Sequence, residues 1–93
     1  MGISEEKWNL RLSLSADNDL SAVPGNIRAQ VLDALLDLEE DPFPPGNVAM
    51  RGWKNLYRIR IEGYRIVYQV NARDRIVLVE RIKPRDRVYR GLD

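Results

Sequence analysis

Arginine is the residue through which this chain of 93 residues can do chemistry. It contains no histidine and no cysteine, which removes the commonest general base, the commonest metal ligand, thiolate nucleophiles and Cys-ligated zinc. No metal and no cofactor is expected, so any reaction must run on Arg, Lys, Tyr, Asp or Glu. The stretch "NLYRIRIEGYRIVYQV", residues 55–70, sets Arg58, Arg60 and Arg65 in two alternating segments joined at Glu62-Gly63. A tight loop there places residues whose numbers sum to 125 opposite one another, so Tyr57 faces Tyr68, Ile59 faces Ile66 and Arg60 faces Arg65. The first two pairs make a core face. The third opposes like charges, at a cost of a few tenths of a kcal/mol, and local rules broken in this way tend to mark functional sites. An anion between the guanidinium groups converts the repulsion into bidentate contacts, and phosphate is the natural candidate. The plainer alternative is a solvated sheet edge whose charges deter aggregation. Residue type favours recognition: ten arginines stand against two lysines over residues 51–93, although lysine would serve solubility as well.

The tail adds Arg85, Arg87 and Arg90 with Tyr89 among them, an aromatic that can stack on a base or contact a ribose. Arg81 and Lys83 precede it on a third alternating segment whose register the pattern leaves open. The net charge of +1 conceals a division, since residues 1–50 carry nine acids and three bases while residues 51–93 carry five acids and twelve bases. That asymmetry fits a polyanion-binding face on the C-terminal part, or two halves that neutralise each other within the fold.

The elements that must position these residues follow from periodicity. Trp8, Leu10, Leu12 and Leu14 alternate with polar residues as in a half-buried strand. "ADNDLSAVPGN" is rich in turn and cap formers and leaves room for at most a short helix near residues 16–22. Ile27, Val31, Leu35 and Leu38 recur at helical spacing, predicting a helix over about 24–40 that ends before "DPFPPGN". Strands follow at 55–62, 63–70 and, after a turn at "NARD", at 75–82, with Pro84 ending the third. The order implies a single α+β domain over residues 1–93. Its antiparallel sheet comprises the N-terminal strand plus a C-terminal three-stranded meander, with one or two helices packed on one face. No apolar run approaches the ~20 residues that span a bilayer, and the polar, acidic start argues against a secretory signal, so a cytoplasmic protein is expected.

"LYRIRIEGYRIVYQV", "IVLVERIKPRDRVY" and a helical region leading through a proline loop to "RGW" together resemble the RelE/ParE superfamily of bacterial and archaeal toxins, over roughly residues 7–90. Residues 16–22 look shorter than the first helix usual in that family. The resemblance implies a RelE-like fold and a toxin of a type II toxin-antitoxin system. In the RelE branch such toxins are ribosome-dependent endoribonucleases, in which the ribose 2′-hydroxyl attacks the adjacent phosphate of mRNA and the 5′-oxygen leaves. Carried over by motif, Arg65, Arg85 and Tyr89 are catalytic, while Arg58 and Arg60 stand where the best-studied members have lysines. Lys54, Lys83 and Arg87 join Arg58 and Arg60 as RNA or phosphate ligands. Arginine suits the clamping of phosphate and not proton abstraction, its pKa lying above ~12. The base is therefore sought in Tyr89, if surrounding cations depress its pKa, with Lys54 and Lys83 in reserve. The implied partners are a cognate antitoxin, acidic or partly disordered, together with mRNA and the ribosome, and neither a membrane nor a small-molecule cofactor. The alternatives are a ParE-like toxin that inhibits DNA gyrase without chemistry of its own, and an inert member acting only as a corepressor with its antitoxin.

Overall fold

A computed structural model describes residues 7–84, in the order β1 (Asn9–Leu12), α1 (Leu14–Ala22), α2 (Gly25–Glu40), β2 (Val48–Ala49), β3 (Leu56–Ile61), β4 (Tyr64–Asn71) and β5 (Ile76–Pro84). The strands form one five-stranded sheet in the order β1-β5-β4-β3-β2. Glu62 and Gly63 both adopt positive φ, 49° and 82°, the two-residue turn whose twist suits a hairpin. The turn sets the expected register of β3 on β4: Tyr57 opposite Tyr68, Ile59 opposite Ile66 and Arg60 opposite Arg65. Ile59, Ile66, Tyr68, Val70, Val77, Val79 and Ile82 then present one apolar face, which packs on Ala16, Val23, Val31, Ala34, Leu35 and Leu38 of the helical side. Tyr68 is fully buried there and donates its hydroxyl to the Pro42 carbonyl at 2.7 Å, so the proline loop is tied to the middle of the sheet.

Two features differ from the expectation. The sheet is mixed, because β1 pairs in parallel with β5. A strand that hands the chain to a helical crossover can rejoin its sheet in parallel, and here both helices and the meander intervene before β5 returns beside β1. The first helix is also longer than the turn-rich composition suggested: α1 runs for nine residues. Ser13 makes this possible by capping the helix, its hydroxyl accepting from the Ala16 N–H at 3.0 Å. The second helix starts behind Pro24 and ends at Glu40, close to the predicted span. Both helices lie over the apolar face of the sheet, and the opposite face carries the arginines.

Candidate nucleic-acid interface

That opposite face is ordered by register. Across β3, β4 and β5, Arg60, Arg65 and Lys83 occupy one row. Arg58, Val67 and Arg81 occupy the next, so a single apolar residue sits among five cations. Strands lie about 4.8 Å apart, which puts the cations of a row within reach of one phosphate or of two neighbouring ones. The like-charge opposition expected at Arg60 and Arg65 thus extends to a third member, Lys83.

Lys83 and Arg81 reach this face because of a bulge. Val67 pairs with Arg81 and Tyr68 pairs with Val79, which leaves Glu80 without a partner on β4. An unbroken alternation from Val77 and Val79 would have carried Arg81 and Lys83 into the core. The inserted residue reverses the parity, turning Ile82 inward and both cations outward. Ser13 holds the bulge in place, donating its hydroxyl to the Glu80 carbonyl at 2.9 Å while its N–H donates to the Val79 carbonyl at 2.9 Å.

Beyond Val79, β1 has ended and the outer edge of β5 would be bare. Asp19 of α1 occupies it. Its carboxylate accepts from the Ile82 N–H at 2.9 Å, from the Arg81 Nε at 2.9 Å and from another Arg81 guanidinium nitrogen at 3.2 Å, and it pairs with the Lys83 Nζ at 3.2 Å. Burial alone would push this carboxyl up, but the bonds from Arg81, the Ile82 N–H and Lys83 outweigh it and hold Asp19 below the ordinary carboxylate value. The same bond raises the Arg81 guanidinium above its ordinary value. Asp19 therefore holds Arg81 and Lys83 at the β5 edge of the grid.

Arg65 is buried, 9% exposed, which is unusual for a guanidinium and fixes its position in the row. Its stem shares the face with a small apolar cluster of Met50, Leu56 and Val67. Arg60 is exposed and Arg58 half-buried. These two line a groove of about 520 Å³ between β3, the Pro44–Gly46 segment and the Ala34–Asp37 side of α2. The groove runs along a strand edge, since β2 pairs only with Tyr57 and Arg58 of β3. Lys54 is not brought to the Arg65 row. It stands before β3 at the opposite end of the strand, and Leu56 to Arg60 alone spans roughly 13 Å. Arg85, Arg87 and Tyr89 lie outside the described residues.

A family model described as the ParE toxin of type II toxin-antitoxin systems, parDE, matches residues 10–89. The chain belongs to that toxin family. Among its relatives is a candidate toxin, RelE1, of Methanocaldococcus jannaschii, 25% identical over 88 residues that cover 91% of this chain and 98% of that protein. The fold matches RelE in the archaeal RelE-RelB complex of Pyrococcus horikoshii with a TM-score of 0.77 and 25% identity, over 88% of this chain and 99% of that one. It also matches the intact toxin-antitoxin complex RelBE of E. coli with a TM-score of 0.74 and 26% identity, over 83% of this chain and 95% of that one. The toxin thus has the two-helix, mixed-sheet RelE fold. No helix among its described residues is long and apolar enough to cross a membrane.

Asp19, at the β5 edge of this face, is the residue that sequence reasoning passed over. Within "ADND" it reads as a turn former, yet it lies three residues after buried Ala16 and four before buried Val23, on the inward stripe of α1. An acid on an apolar stripe signals a buried partner, and the cations of β5 are that partner.

Proposed function

We propose that this toxin is an endoribonuclease that cuts mRNA in the ribosomal decoding site, with the cation grid of β3, β4 and β5 as its phosphate cradle. The observation that carries the reading is the row of Arg60, Arg65 and Lys83, centred on a buried arginine. The resemblance to RelE proteins in sequence and fold supports it. In the reaction the 2′-oxygen forms a bond to phosphorus as the bond to the 5′-oxygen breaks. The 2′-hydroxyl proton is removed, the leaving oxygen gains one, and a cyclic phosphate and a 5′-hydroxyl result. Charge accumulates on the non-bridging oxygens, where fixed guanidinium donors act most strongly.

Arg65 clamps the scissile phosphate together with Arg85. Arg60 and Arg58 hold flanking phosphates, and Lys83 and Arg87 add charge at the rim. Lys83 reaches the rim of the cradle beside Asp19, its ion-pair partner at 3.2 Å, and Lys54, before β3, is assigned to phosphates further along the message. Tyr89 is the residue to which we assign the orientation or acceptance of the 2′-hydroxyl proton. The protein works in the cytoplasm, where an antitoxin neutralises it. The groove beside β3 offers apolar walls and the arginine face offers steering for an acidic partner.

The second reading, a ParE-like toxin that inhibits gyrase without cutting RNA, is favoured by the description of the matching family model. One experiment separates the two: the toxin is induced without antitoxin, mRNA 5′ ends are mapped, and gyrase-dependent DNA breaks are measured in the same cells. New ends within translated codons and no DNA breaks are expected. Growth arrest with intact mRNA and broken DNA would overturn the nuclease in favour of the second reading.

A further inference from the structure

We infer that Trp53 is a stacking platform for an mRNA base flanking the cut, an inference that rests on the nuclease reading. Trp53 is 48% exposed, a large indole presented to solvent on the loop between β2 and β3. The loop is held at both ends. The Met50 N–H donates to the Leu56 carbonyl at 2.8 Å, the Trp53 N–H to the Met50 carbonyl at 3.2 Å, and the Val70 N–H to the Asn55 carbonyl at 3.0 Å. Gly52 and Asn55, on either side of the indole, adopt positive φ of 84° and 60°, which folds the loop back on itself. Its roots, Met50 and Leu56, are buried with Val67 on the arginine face of the sheet. The loop thus belongs to the same side of the molecule as the phosphate cradle.

The surroundings of the indole identify its ligand. Arg51 and Lys54 flank it and are both exposed, and Arg58 follows two residues beyond Leu56. An exposed aromatic on a short loop that also carries exposed cations suits a nucleotide, whose base stacks while its phosphates meet the charges. The other tryptophan shows the contrast: the ring of Trp8 is covered by the Arg75 guanidinium at 4.4 Å, whereas Trp53 makes no aromatic or cation contact among the described residues. Since Leu56 and Arg60 are roughly 13 Å apart along β3, a base on Trp53 is not the one at the Arg60 and Arg65 row but one further along the strand. The platform would fix which nucleotides lie over the cradle and so contribute to the choice of cleavage site.

The test measures kcat/KM for mRNA cleavage on programmed ribosomes with wild-type toxin, Trp53→Ala and Trp53→Phe, and repeats it on messages carrying one abasic position near the cut. Trp53→Ala is expected to lose roughly tenfold or more, and Trp53→Phe clearly less. One abasic position should slow the wild type to the level of Trp53→Ala and have no further effect on that variant. Thermal midpoint and antitoxin affinity should be unchanged. Equal cleavage by wild type and Trp53→Ala overturns the inference alone, as does a deficit that no abasic position reproduces. Normal cleavage with weakened antitoxin binding overturns it in favour of a protein anchor. A wild-type toxin that leaves mRNA whole refutes the nuclease reading and this inference together.

Discussion

Replacing Asp19 probes the joint between α1 and the strand end that bears Lys83. The Asp19 side chain is 6% exposed, whereas those of Arg81 and Lys83 are 40% and 37% exposed. Asp19→Ala removes the acceptor of the buried Ile82 N–H, and a buried donor without a partner costs about 1–3 kcal/mol. The two cations can turn to water, so each lost ion pair counts for under about 1 kcal/mol. The expected loss is about 2–4 kcal/mol, a fall in Tm of roughly 8–30 °C for a domain of this size. Asp19→Asn keeps an oxygen for the Ile82 N–H and should cost only about 1 kcal/mol.

The charge also sets a pH window. Because the carboxyl is held below its ordinary value in the folded state, its contribution is complete above the unfolded carboxylate range near ~3.9 and disappears as pH falls through the lower folded value. The gap between wild type and Asp19→Asn should therefore be constant from neutral pH down to about 4 and close below it. Urea unfolding followed by circular dichroism at a series of pH values measures all of this. A cost for Asp19→Ala below about 1 kcal/mol would show that the carboxylate is not what satisfies Ile82. A gap to Asp19→Asn that survives in strong acid would show that its charge is not what holds Arg81 and Lys83.

Three further outcomes can be checked. Arg65→Ala should lower kcat for mRNA cleavage by roughly 10²–10³, and Arg65→Lys should recover only part of it, since the ammonium lacks the planar fork; retained antitoxin binding controls for folding. Arg58→Ala and Arg60→Ala should each reduce the slope of log affinity for single-stranded RNA against log salt by about 0.7, and an unchanged slope would remove that residue from the cradle. Tyr68→Phe should cost about 1–3 kcal/mol by leaving the Pro42 carbonyl without its 2.7 Å donor. Burial pushes the Tyr68 phenol up, so wild-type stability should fall as pH rises past the unfolded tyrosine value near ~10, and the Phe variant should lack that fall.

Much of the fold was legible because its signals are local. The hairpin register followed from a two-residue turn at Glu62-Gly63 and a period of two, and α2 followed from a period of 3.6 ending at a proline-rich loop. The helix α1 was underestimated for a physical reason. Its acids and Asn18 are turn formers by composition, and only the Ser13 cap and the cations of β5 make a helix the better use of them. The strand β2 was missed because two residues carry no period. The parallel pairing of β1 with β5 depends on where a long crossover returns, which no window of sequence contains.

By itself the sequence determined the chemistry open to this toxin: no histidine or cysteine, an arginine-rich C-terminal half, and a hairpin that must set Arg60 opposite Arg65. These follow from residue type and from steric rules that operate over a few positions. The tertiary structure alone decided which cations join them. Glu80 is extruded from the β4–β5 ladder, and that one inserted residue turns Arg81 and Lys83 to the outer face. Asp19, distant in sequence, then closes the strand edge that β1 leaves and holds those two cations there. Bulges and edge caps are set by pairing between remote segments, so their effect on charge placement is visible only once the strands lie side by side.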